Sequence, residues 1–139
     1  FKMLIDGQMV VSGSAFDVVN PATEETIGRA PEAEQADLDA AVAAARQAFP
    51  AWAARPIEER RAVIVAMADR IMAHADELKR LLTSEQGKPH QDAEREVMGA
   101  AGWLKGAANL ELPREVLLDS PERRVETVRV PLGVVGAIS

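Results

Sequence analysis

The stretch that decides how this chain folds is Pro56–Pro89, PIEERRAVIVAMADRIMAHADELKRLLTSEQGKP. Apolar side chains recur at Ile57, Ile64, Met67, Ala68, Ile71, Ala75, Leu78 and Leu82, close to a 3.6-residue period. Arg60, Asp69, Arg70, Asp76, Glu77 and Lys79 fall mostly on the opposite side. Pro56 suits a first turn, and Glu58 and Glu59 favour the positive end of a helix dipole. Gly87 suits the left-handed residue after a helix end, and Pro89 prevents continuation. The reading is one long amphipathic helix whose stripe the neighbouring segments cover.

Composition bounds the rest. The chain has 139 residues, 47% of them hydrophobic and 27% charged, which allows one core and argues against disorder. A formal net charge of -6 disfavours nucleic acid as a partner. Cysteine is absent, so these residues contain no disulfide, thiolate metal ligand or cysteine nucleophile. No apolar run reaches the roughly 20 residues that span a bilayer. A cytoplasmic location is the default expectation, with no membrane partner. The chain starts at Phe1 and stops at Ser139 straight after an apolar run, and it reads as a piece of a longer protein.

Asp6-Gly7 between Met3-Leu4-Ile5 and Met9-Val10-Val11 predicts a hairpin. Phe16–Val19 is a predicted strand, and Asn20-Pro21-Ala22-Thr23 turns the chain towards another at Thr26–Ala30. A first helix is predicted over Gln35–Phe49, with Leu38, Val42, Ala45 and Phe49 as its stripe and Pro50 as its end. Trp52 is expected to anchor the following link. Another helix spans His90–Leu112, with Ala93, Val97, Ala100, Ala101, Leu104 and Ala108 on its apolar side. Gly99, Gly102 and Gly106 share a face of that helix. Each is unfavourable by roughly 0.5–1 kcal/mol relative to alanine, which suggests a close neighbour. Arg114–Arg124 reads as a loop and Val125–Val130 as a strand. Val134–Ile138 has the continuous apolar pattern of a strand buried on both faces.

The residues alone show no catalytic constellation. The glycine spacing matches neither a dinucleotide fingerprint nor a P-loop, and helix packing is the favoured reading. His74 and His90 are too separate for a zinc pair. The carboxylates lie on solvated faces or in first turns, and Ser84 and Ser139 lack a partnered base. Val134–Ile138 fits equally a plain sheet strand or the opening of a doubly wound domain, in which ligands bind beyond the carboxyl ends of strands. Ile138 and Ser139 would stand at that position.

Asn20-Pro21-Ala22-Thr23, Asp37–Val42, Ala44–Phe49, Glu85–Pro89 and Pro131–Ser139, in this order and spacing, resemble the N-terminal part of the NAD(P)-dependent aldehyde dehydrogenase superfamily. The resemblance implies an α/β fold. It would comprise an N-terminal hairpin and a three-helix part, ending in the first strand of a Rossmann-like parallel sheet. It divides the chain into residues 1–121 of the cofactor-binding domain, 122–132 as a strand of an oligomerisation arm, and 133–139 as that first strand.

For the whole enzyme the resemblance implies that a cysteine thiolate attacks an aldehyde, hydride passes to NAD or NADP, and water releases a carboxylic acid. The cysteine and the general-base glutamate would lie beyond Ser139, so this chain alone is expected to be inactive. The same resemblance places Ile138 and Ser139 in the cofactor cleft. It makes Val19 and Glu85 oxygen donors to a structural monovalent cation, although a helix-end cap also suits Glu85. It implies a homodimer or homotetramer acting on a small-molecule aldehyde. The third helix would border the substrate tunnel, with Trp103 either near its mouth or packed ordinarily. The competing readings are a helical scaffold or interaction module, and a dinucleotide-binding regulator without a nucleophile.

Overall fold

The computed structural model describes residues 1–138. In chain order they form β1 (Met3–Ile5), β2 (Gln8–Val10), β3 (Ser14–Val19), β4 (Thr26–Glu32), α1 (Gln35–Ala54), α2 (Ile57–Ala73), α3 (Ala75–Gln86), α4 (His90–Ala108), β5 (Glu115–Asp119) and β6 (Arg124–Thr127). The strands pair as three separate antiparallel hairpins, β1–β2, β3–β4 and β5–β6. At the first turn Asp6 and Gly7 have φ of 50° and 72°, the two positive values that a tight hairpin of this twist requires.

The long helix expected over Pro56–Pro89 is two helices. His74, at φ -112° and ψ 17°, closes α2 and opens α3, with its N–H donating to the carbonyls of Ile71 and Met72. No glycine or proline marks this break, so the periodic pattern ran through it. The inward stripe survives. Ala68 is fully buried, and Ile57, Ile64, Ile71, Ala75, Leu78 and Leu82 are half-buried. Met67, expected on that stripe, points outward and is 51% exposed.

Helix α1 also differs from expectation. It passes through Pro50 and continues to Ala54. Proline forfeits one backbone hydrogen bond there, but the helix ends only at Arg55, whose extended φ of -64° and ψ of 143° is what a residue preceding Pro56 prefers. Trp52 therefore sits on a helix rather than in a link, half-exposed, with the Arg55 guanidinium 6.0 Å from its ring centre. Leu38 lies outside the half-buried face made by Ala41, Val42, Ala44, Ala45 and Phe49.

The core lies in the seam where α2 and α3 pack along α4. Its buried side chains are Ala68 from α2 and Ala93, Val97, Ala101 and Ala108 from α4. Asp69 and Lys105 pair across this seam at 2.7 Å. The Arg61 guanidinium donates to the Leu110 carbonyl at 2.6 Å, tying α2 to the segment after α4. Lys79 joins α3 to α4, its ammonium 3.2 Å from Asp76 and 3.6 Å from Glu94. The hydrogen bond with Asp76 and the charge of Glu94 hold the Lys79 pKa above its ordinary value of 10.5.

Further expectations meet the structure as follows. The segment read as a loop at 114–124 contains β5, which pairs with β6 and puts both sides of the 121/122 boundary into one hairpin. The strand expected to reach Val130 ends at Thr127. Residues 134–138 form no ladder among the described residues, which hold no neighbouring strand for them, so the strand expected there stays an expectation about the assembled protein. Beside Gly99, Gly102 and Gly106 nothing lies within 4 Å of where a Cβ would stand, so the close neighbour inferred from these glycines is not among the described residues.

These observations set two measurements. In the 139-residue chain, Gly102→Ala should raise stability by about 0.5–1 kcal/mol, as the new methyl meets nothing and helix propensity improves. Ala101→Leu, on the buried face of the same helix, should lower it by roughly 1–3 kcal/mol through overpacking. Urea midpoints of both variants check the opposite signs.

The Lys79 pairing stabilises the fold because its pKa is raised on folding. Its contribution is fully present below the unfolded value and is lost as pH rises through the folded one. The stability gap between wild type and Lys79→Met should therefore be flat from neutrality to about pH 10 and close above that. Urea titrations across that range read it.

Candidate functional site

The residues singled out by sequence do not converge on one cleft. Ile138 is fully exposed at the end of the irregular segment after β6, with Leu132 at 95% exposure in the same segment. Ser139 lies outside the described residues. Trp103 projects from the outer side of α4 at 82% exposure, a surface position rather than a core one. Ser84 donates its hydroxyl to the Leu81 carbonyl at 2.9 Å and so serves its own helix. His74 Nδ1 stands 3.3 Å from a Glu77 carboxylate oxygen, and His90 Nδ1 stands 3.2 Å from the Thr83 hydroxyl. Both histidine contacts are between side chains, the first within α3 and the second between α3 and the start of α4.

Val19 and Glu85 have a closer relation. Val19 ends β3 beside a bulge at Val18/Val19, and Glu85 is in the last turn of α3. The connecting turn after Val19 is rigid. Asn20 donates its N–H to the Glu25 carbonyl at 2.9 Å, Glu24 donates to the Asn20 carbonyl at 2.8 Å, and Ala22 donates to the Asn20 side-chain oxygen at 2.9 Å. Pro21 of this turn lies against Gly87, two residues past Glu85. The ends of β3 and α3 thus approach each other. The C-terminus of α3 carries the negative end of its dipole, which favours a cation. Among the described residues no three His, Cys, Asp or Glu side chains gather as a metal cluster, so any cation here would rest on mixed carbonyl and carboxylate oxygens.

The concave surfaces are open and shallow. A groove of about 340 Å³ runs between α3 and α4, lined by Ile71, Leu78, Leu82 and Val97 with Glu85 and Glu96 at its polar edge. The Glu96 carboxylate is paired with the Lys88 ammonium. The ion pairs among the charged side chains lie mostly on solvated faces. The meeting of Pro21 with Gly87 escaped the sequence reading. Its signals, a proline turn and a helix-end glycine, were visible only as two unrelated features 66 residues apart.

Similarity to known proteins gives these elements their setting. The Aldehyde dehydrogenase family profile matches residues 10–139. A probable aldehyde dehydrogenase from a Pseudomonas species is 43% identical over 138 residues, covering 99% of this chain and 28% of that protein. The solved structure of an NADP-dependent enzyme of E. coli superposes with a TM-score of 0.87 at 31% identity, over 91% of this chain and 27% of that one. The structure of an NAD-dependent benzaldehyde dehydrogenase from Corynebacterium glutamicum superposes with a TM-score of 0.77 at 30% identity, over 88% of this chain and 28% of that one. The chain thus spans between a quarter and a third of the length of these relatives. With hairpins, helices and sequence motifs matching together along nearly its whole length, the chain belongs to the aldehyde dehydrogenase family.

Proposed function

We propose that the protein to which this chain contributes oxidises an aldehyde to a carboxylic acid with NAD or NADP. The superposition on an NADP-dependent enzyme and an NAD-dependent aldehyde dehydrogenase, over about nine-tenths of the chain, carries this reading. The nicotinamide cofactor, when bound, accepts the hydride that leaves the aldehyde carbon. The 139 residues contain no cysteine, so the thiolate nucleophile the family chemistry needs comes from outside them. Their role is to scaffold. The three-part division 1–121, 122–132 and 133–139 is our reading of the assembled protein, with the β5–β6 pairing linking the first part to the arm. Self-association as a dimer or tetramer through that arm fits its two free strand edges, and the setting proposed is cytoplasmic. Ile138 and Ser139 are assigned to the cofactor cleft. Support comes from the exposed β-prone run that ends there, which needs a partner strand to satisfy its backbone.

Purified protein that includes this chain and the remaining family elements should reduce NAD+ or NADP+ in step with acid formation from an aldehyde. The 139-residue chain alone should do neither. Failure of the larger protein to reduce either cofactor across short, branched and aromatic aldehydes would sink the proposal.

Val19 and Glu85 are assigned to a structural monovalent cation. The convergence of β3 and α3 and the helix-end dipole support it. The protein should melt at a higher temperature in sodium or potassium chloride than in choline chloride of equal ionic strength. Glu85→Ala should remove that difference.

A further inference from the structure

The turn after β3 and the corner between α3 and α4 meet at a single tight point. A Cβ placed on Gly87 would lie 2.8 Å from Pro21 Cγ and 3.7 Å from Pro21 Cβ, closer than a packed side chain tolerates. Neither side can easily give way. Gly87 has φ 72° and donates its N–H to the Thr83 carbonyl at 2.8 Å, which holds it as the left-handed cap of α3. Two residues on, Pro89 opens α4 at φ -57°. The Lys88 ammonium is held by Glu96, and His90 stands beside Thr83 across the corner. On the other side, the Pro21 ring has a fixed φ, and its turn is closed by the Asn20, Glu24 and Ala22 hydrogen bonds. Glu24 accepts a φ of 61° to close that turn. Strands β3 and β4 otherwise pack chiefly on each other.

We propose that Pro21 and Gly87 form a latch that locks the β3–β4 hairpin onto the α3–α4 corner. Gly87 is then glycine for two separable reasons. Its backbone conformation excludes most side chains, and the Pro21 ring occupies the space a Cβ would need. The first reason is local to α3. The second couples two segments more than sixty residues apart. The latch concerns the packing of these two elements and holds whether or not a cation binds between their ends.

Hydrogen exchange followed by mass spectrometry, on the protein that includes this chain, separates the two reasons. Gly87→Ala should accelerate exchange at the end of α3 and also at the amides of Asn20 and Glu24, by roughly tenfold. Gly87→Asn tolerates the left-handed backbone while keeping a Cβ. It should spare most of the α3 effect and still loosen the turn. Pro21→Ala removes Cγ, so adding Gly87→Ala in that background should accelerate α3 exchange without further effect at the turn. Unchanged turn exchange in both Gly87 variants would overturn the latch and leave Gly87 a helix cap alone. So would an undiminished turn effect of Gly87→Ala when Pro21 is alanine.

Discussion

The buried side chains where α2 and α3 pack along α4 are no larger than valine, and the rest of the fold is arranged around that seam. Ala68, Ala93, Ala101 and Ala108 with Val97 let two backbones approach closely, because interhelical distance follows the size of the residues at the contact. Small side chains bury little area each, so the seam relies on being continuous along these helices. Asp69 with Lys105, and Arg61 with the Leu110 carbonyl, hold it where apolar packing is thin. Beyond the break at His74, α3 continues along α4, where Lys79 spans to Glu94.

A seam of this kind leaves larger apolar groups outside it. Trp103, Met67, Leu132 and Ile138 stand on the surface, and the glycine face of α4 is open. The ion pairs, some between neighbouring turns and some between elements, lie mostly on solvated faces, where each contributes little. Open apolar faces agree with a chain that spans between a quarter and a third of the length of its aldehyde dehydrogenase relatives.

Legibility followed the range of the interactions involved. The Asp6-Gly7 hairpin, the acidic start of α1, the Gly87 cap and the buried stripe of α4, except for the exposed Ala100, are set within a few residues, and each was readable. Misreadings occurred where a local rule met a competing contact. Pro50 signalled a helix end, but losing one hydrogen bond costs less than ending a helix whose half-buried face continues to Ala53. Residues 115–119 looked like a loop until their pairing with 124–127 made them a strand. Residues 134–138 are a separate case, since the strand read there needs a ladder that the described residues do not supply.

By itself the sequence determined the helix periodicity, the turn chemistry, the absence of a cysteine nucleophile and the family motifs, because each depends on residue identity and short spacing. Only the tertiary structure decided that the long helix divides at His74, that three glycines face open space, and that Pro21 closes on Gly87. Those outcomes depend on which surfaces meet across long stretches of chain, and no local pattern encodes the meeting.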